Sequence, residues 1–100
     1  RVADEVEVFN QIYVLGPGRR LVGVLSLREL LRAPPDALIE SLMTTDIVHV
    51  APEADLPDVA RIFVKYGFRA VPVVDEDGAF LGAVRLINDP FSSRSTAPKR

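Results

Sequence analysis

The chain has no cysteine and no tryptophan, and only one histidine and one methionine. Without cysteine there is no disulfide framework and no thiolate metal site. The lone His49 leaves no second imidazole for a zinc site and no Ser/His/Asp set. No glycine-rich phosphate loop follows a strand either, so an enzyme reading has no constellation to stand on. Long apolar runs are also missing. No stretch approaches the ~20 residues that a membrane-spanning helix needs, and the opening Arg-Val-Ala-Asp does not read as a signal peptide. Neither sign of charge dominates. Twelve Lys and Arg against 14 Asp and Glu give a net charge of −2, with the signs interspersed. The absence of a basic stripe argues against a nucleic-acid partner.

What is present is apolar and patterned. Of 100 residues, 48% are hydrophobic, enough for one small α/β domain that buries roughly 60 to 70% of its unfolded surface. Phe9 to Leu15 is aromatic and β-branched and reads as a strand. Gly16 to Arg20 is a turn, and Leu21 to Leu25 a second short strand. Ser26 with Glu29 opens a helix with Leu27, Leu30 and Leu31 on its apolar face. Ala33-Pro34-Pro35 stops it, because the residue before proline avoids the α region. Asp36 is placed to cap a short helix over 37–43, and Ile47 to Val50 reads as a strand. Asp55 is placed to cap a longer helix from Leu56 to Tyr66. There Val59, Ile62, Phe63 and Tyr66 form one stripe, and Gly67 ends it. Arg69 to Asp75, the Asp77-Gly78 turn and Phe80 to Ile87 make a closing hairpin.

That hairpin occurs twice. At an offset of 59 residues, Val14 falls on Val73, Leu21 on Phe80, Gly23 on Gly82 and Leu25 on Val84. Self-similarity at such a period predicts stacked copies of one supersecondary unit. The second copy has a strand and a helix ahead of its hairpin, and the first lacks them. The chain therefore reads as a fragment of a longer protein.

The run LMTTDIVHVAPEADLPDVARIFVKYGFRAVPVVDEDGAFLGAV resembles a CBS domain, the cystathionine-β-synthase-type repeat. QIYVLGPGRRLVGVLSLRELL resembles the second half of another. The resemblance implies a CBS-domain pair of β-α-β-β-α repeats, with the first truncated at its N-terminus. Residues 1–43 would hold the back half of the first repeat and a linker helix, and residues 44–89 the second repeat. Residues 90–100 would be a disordered tail. LVGVLSLRELLRAPPDALIESLM is similar to the cytoplasmic pair of MgtE-type magnesium transporters. That similarity implies a regulatory domain on the cytoplasmic side of an inner-membrane protein, with adjoining N-terminal and transmembrane domains. It also implies a homodimer of CBS pairs, gating by intracellular Mg²⁺, and adenine-nucleotide binding. An alternative stays open: an adenine-nucleotide module (AMP, ATP or S-adenosylmethionine) of another enzyme or channel.

Several residues have two readings. Ser26-x-x-Glu29 stands where CBS domains carry a Ser/Thr-x-x-Asp that holds a ribose, with Glu in place of Asp. It is also the signature of a capping box. Arg85-x-x-Asn88 is the matching position in the second copy and has lost both hydroxyl and carboxylate. Asn88 can still bond a ribose hydroxyl, and Arg85 can face a phosphate. The resemblance makes the segment from Gly67 to Pro72, with Phe68, Ala70 and Pro72, the wall of an adenine pocket, with Ile47 across the cleft. One of the two nucleotide sites is then expected to lack its front half, and the other to carry the degraded ribose motif. Glu53 and Asp55, with Asp58, offer hard oxygen ligands to a regulatory Mg²⁺. They equally suit the N-terminus of the long helix.

Overall fold

The computed structural model describes residues 10–87. Its frame is a pair of antiparallel hairpins, β1 (Gln11–Leu15) with β2 (Leu21–Ser26) and β3 (Ala70–Val74) with β4 (Phe80–Arg85). Between them lie α1 (Leu27–Arg32), α2 (Ile39–Leu42) and α3 (Leu56–Tyr66). Adding 59 to the bounds of β1 and β2 gives those of β3 and β4. The pairing repeats as well. Both hairpins shift register at the same place, between Val14 and Leu15 and between Val73 and Val74. Both are closed by the same bond, Leu27 N–H to the Asn10 carbonyl at 3.1 Å and Leu86 N–H to the Arg69 carbonyl at 2.8 Å.

The hairpins meet at their turns. Arg20 and Ala79, one repeat apart, form an antiparallel bridge, and Leu21 N–H donates to the Gly78 carbonyl at 2.9 Å. Arg20 Nη1 donates to the Asp77 carbonyl at 2.7 Å, and the rings of Tyr13 and Phe80 lie 5.2 Å apart. A pairing of equivalent residues in antiparallel sense is the mark of a local pseudo-twofold.

Three elements differ from the sequence expectation. The short helix is Ile39–Leu42, without a side-chain cap. Asp36 does not cap it, because a turn closed by Ala37 N–H on the Pro34 carbonyl takes up Asp36. The segment expected as a strand over 47–50 contributes Val50 alone, in a parallel bridge to Val73. Just before it, Thr44 pairs antiparallel with Val24 of the other hairpin. The chain thus crosses from one sheet to the other over 44–50, and the residues between form no strand and bend at Asp46. Tyr66 leaves the buried stripe of α3. It is 47% exposed and stacks on the ring of Phe68 at 5.0 Å.

The helix α3 runs as the apolar spacing predicts, with Gly67 in the left-handed region at φ 69° closing it. Val59 faces the centre of a small core with Val50 and Val71, and Ile62, Phe63 and Phe68 pack around them. The first strand begins at Gln11; Phe9, Asn88 and the tail over 90–100 lie outside the described residues.

Candidate functional site

Ser26 is the last residue of β2 and the N-cap of α1. Its extended backbone leaves the first-turn amides of the helix unpaired, and a short hydroxyl side chain can reach one of them. Ser26 Oγ accepts from Glu29 N–H at 3.0 Å, and Glu29 Oε1 accepts from Ser26 N–H at 2.7 Å. The capping box is therefore formed. Glutamate makes it possible, since its extra methylene lets the carboxylate fold back to the cap residue. The hydroxyl proton of Ser26 is not used by this box, because the serine oxygen acts in it only as an acceptor.

The same two side chains line a pocket of about 270 Å³ together with Ile47, Phe68, Ala70 and Pro72. Six of the seven residues singled out for a nucleotide thus lie around one cavity, and Asn88 lies outside the described residues. The grouping differs from the expected one. Ser26 and Glu29 come from the first repeat and the apolar wall from the second, so the intact hydroxyl–carboxylate pair and the intact wall share a pocket. The crossing segment lies along this cavity: Thr44 bridges to Val24 of β2 and Val50 to Val73 of β3, and Thr44, Asp46, Ile47 and Val48 line the pocket between them.

The wall is held firmly. Pro72 is buried, and it lies on β3 opposite Ala83. Phe68 is fixed by its stack on Tyr66. Sequence reasoning missed the polar lining residues Gln11, Tyr13, Thr44 and Asp46, and the apolar Val24, Leu25 and Val48. Two of these were within reach, since moving Ala70 and Pro72 back by 59 residues gives Gln11 and Tyr13. Burial raises the Tyr13 phenol above its ordinary 10.0, and its hydroxyl is buried without a hydrogen-bond partner.

Glu53 and Asp55 are both exposed ahead of α3. Asp55 is the N-cap residue but makes no side-chain cap bond, while Asp58 pairs with Arg61. Among the described residues no three His, Cys, Asp or Glu side chains are grouped to hold a metal ion. Two exposed carboxylates suit only a hydrated Mg²⁺, which keeps several waters. His49 is exposed, with Nδ1 3.0 Å from the Ile47 carbonyl. Among the described residues no helix is long and apolar enough to cross a membrane.

Residues 39–87 match the CBS domain family. The chain is 40% identical over 86 residues to the magnesium transporter MgtE of Thermus thermophilus, covering 86% of this chain and 19% of that protein. To the magnesium transporter MgtE of Bacillus subtilis it is 37% identical over 84 residues, covering 84% and 19%. The chain thus spans about a fifth of the length of these relatives. In structure it is similar to the cytosolic domain of the Mg²⁺ channel MgtE in complex with ATP. The TM-score is 0.74 at 40% identity, over 83% of this chain and 34% of that one.

Proposed function

The chain belongs to the CBS-domain family, and we propose that it is a non-catalytic regulatory module of a magnesium transporter, placed on the cytoplasmic side. Its ligand is an adenine nucleoside or nucleotide, seated in the pocket that Ser26 and Glu29 share with Ile47, Phe68, Ala70 and Pro72. That convergence carries the reading. Ser26 and the carboxylate of Glu29 would meet the ribose hydroxyls, with the Ser26 hydroxyl donating and the carboxylate accepting. The apolar wall would take the base, as small-ligand sites combine apolar surface with a few placed polar groups. The pocket draws on both repeats, so a ligand there would favour the arrangement in which they are held together. It would shift a population only by its difference in affinity between states.

Similarity to magnesium transporters supports a second input. Mg²⁺ bound through its waters at Glu53 and Asp55 would neutralise an acidic face against a dimer mate or an adjoining domain of the parent protein. Sensing and gating would then follow from the cation's preference for the closed assembly.

Calorimetry on the chain tests the first input, and the Mg²⁺ dependence of the transporter tests the second. Adenosine and AMP are expected to bind saturably, without needing Mg²⁺. Ser26→Asp keeps an N-cap acceptor and Glu29→Gln keeps the capping box, yet each removes a ribose contact. Both variants are expected to hold their stability and lose about tenfold or more in affinity for adenosine. Unchanged affinity in both would overturn the nucleoside reading. For the cation, Glu53→Gln with Asp55→Asn is expected to abolish Mg²⁺-dependent effects on the transporter that carries this module, and unchanged Mg²⁺ dependence would remove these residues from the mechanism.

A further inference from the structure

Met43 carries the one sulfur of the chain, which has no cysteine. It sits at a junction. Its N–H closes α2 on the Ile39 carbonyl at 3.0 Å, and the next residue, Thr44, opens the segment that crosses between the sheets. Thr44 exchanges two bonds with Val24 of β2, donating at 2.8 Å and accepting at 2.9 Å. The Met43 side chain lies against the strand beside that bridge. Its Cγ and Cβ are 2.6 and 2.9 Å from the place a Cβ on Gly23 would take, and Sδ is nearer still. The thioether thus fills the gap that glycine leaves in β2, and Gly23 is buried.

This packing supports one side of the nucleoside pocket. Val24 and Leu25, which follow Gly23, line that pocket, and so do Thr44, Asp46, Ile47 and Val48 of the crossing segment. The far end of the segment is fixed at Val50, which donates to the Pro72 carbonyl at 3.0 Å and accepts from Val74 N–H at 2.9 Å. The near end is fixed by the Thr44 bridge and by Met43. Met43 is only half-buried, so small solutes reach part of its side chain.

We propose that Met43 is a reversible oxidation site whose sulfoxide releases the crossing segment from β2. With hydrogen peroxide as the oxidant, a sulfur lone pair attacks one peroxide oxygen. The S–O bond forms as the O–O bond breaks, and the sulfur gives up two electrons. The second oxygen takes the proton of the first and leaves as water. A soft apolar thioether becomes a polar, chiral group. The added oxygen needs room and a hydrogen-bond partner, and the room against Gly23 is already filled. Overpacking and an unpaired polar oxygen both disfavour the docked side chain. The sulfoxide therefore turns to solvent, Thr44 loses its support at Val24, and the pocket wall over 44–48 loosens. Methionine sulfoxide reductases, one for each epimer, restore the thioether.

The effect on ligand binding rests on the nucleoside reading, and the effect on the fold does not. The test treats the chain with hydrogen peroxide and confirms by intact mass the gain of one oxygen. Hydrogen exchange is expected to show the Val24 and Thr44 amides losing protection while the β3–β4 hairpin keeps it. The urea midpoint is expected to fall. If the oxidised segment stays docked in about a tenth of the molecules, adenosine affinity falls about tenfold. Both reductases together are expected to restore all three. Met43→Leu, a substitution that cores usually tolerate, is expected to make the chain indifferent to peroxide. Recovery by the reductases needs no variant, so the test stands even where leucine disturbs the fold. A sulfur that resists peroxide in the folded chain but reacts in urea overturns the proposal. So does a sulfoxide that leaves Val24 and Thr44 as protected as before. If the parent chain binds no adenosine, the nucleoside reading falls and amide protection still decides this one.

Discussion

Arg20 and Ala79 face one another across an antiparallel bridge, and each is the other's counterpart at the repeat offset. The contact is reinforced from one side only. Arg20 reaches the Asp77 carbonyl at 2.7 Å, and Arg19 reaches the Phe80 carbonyl through Nε at 3.3 Å and Nη2 at 3.2 Å. The second repeat has no arginines at the matching positions, where Gly78 and Ala79 stand. The first turn therefore clamps the second, and the pseudo-symmetry is broken at its own axis.

Removing the clamp should loosen the two repeats without unfolding either. All of these groups are exposed, so the expected cost of Arg20→Ala is under about 1.5 kcal/mol. Arg19→Ala should cost a similar amount, and the double variant should lose less than the total of the two, since both act on one turn. Urea denaturation of the three variants checks this. Strict additivity would show that the arginines act separately.

The core is small, and its centre is one residue. Val71 is 0% exposed and packs with Val50 and Val59. Val71→Ala removes two buried methyl-sized groups and should cost about 2 kcal/mol. Leu56, on the helix that covers this core, is 81% exposed, so Leu56→Ala should stay within about 0.5 kcal/mol. Thermal unfolding of the pair checks the contrast, and equal losses would contradict the burial described.

Glycine at position 23 is required by a neighbour. A Cβ there would lie 2.2 Å from Met43 Sδ and 2.9 Å from Met43 Cβ. In a strand with room, alanine would be favoured over glycine by roughly 0.5 to 1 kcal/mol. The collision reverses the sign, and Gly23→Ala should destabilise by about 1 to 3 kcal/mol. The combination with Met43→Ala should recover part of that loss, with a coupling of at least about 0.5 kcal/mol. A double-mutant cycle by denaturant unfolding measures it. Gly82, the counterpart at offset 59, has nothing within 4 Å of such a Cβ, so the two glycines repeat in sequence for different reasons.

Much of this was legible in the sequence because it is local. The bounds of α3, its closing Gly67, the capping box of Ser26 and Glu29 and the offset of the hairpins all follow from spacing and side-chain type. What was not legible depends on where the chain crosses between sheets. Thr44 and Val50 lie close in sequence yet bridge to different hairpins, and no periodicity over so few residues reports that. The crossing decides which repeat's wall meets which repeat's hydroxyl–carboxylate pair. Six of the residues singled out for a nucleotide line one cavity, whereas the sequence alone divides them between two sites.

Tyr13 ties stability to pH. Its phenol is buried without a partner, and burial raises its pKa above 10.0 by penalising the phenolate. The folded state thus holds the proton more tightly than the unfolded state does. Its contribution is fully present below pH 10 and is lost as pH rises through the folded pKa, because the unfolded chain ionises first. Urea midpoints of the parent chain should fall above pH 10 more steeply than those of Tyr13→Phe. At pH 7 the same substitution removes an unsatisfied polar atom while keeping the ring that packs on Phe80. It should therefore be neutral or stabilising, by up to about 1 kcal/mol. A destabilised Tyr13→Phe at pH 7 would mean that the hydroxyl has a partner in solution, and identical pH slopes for the two proteins would mean that it is not desolvated.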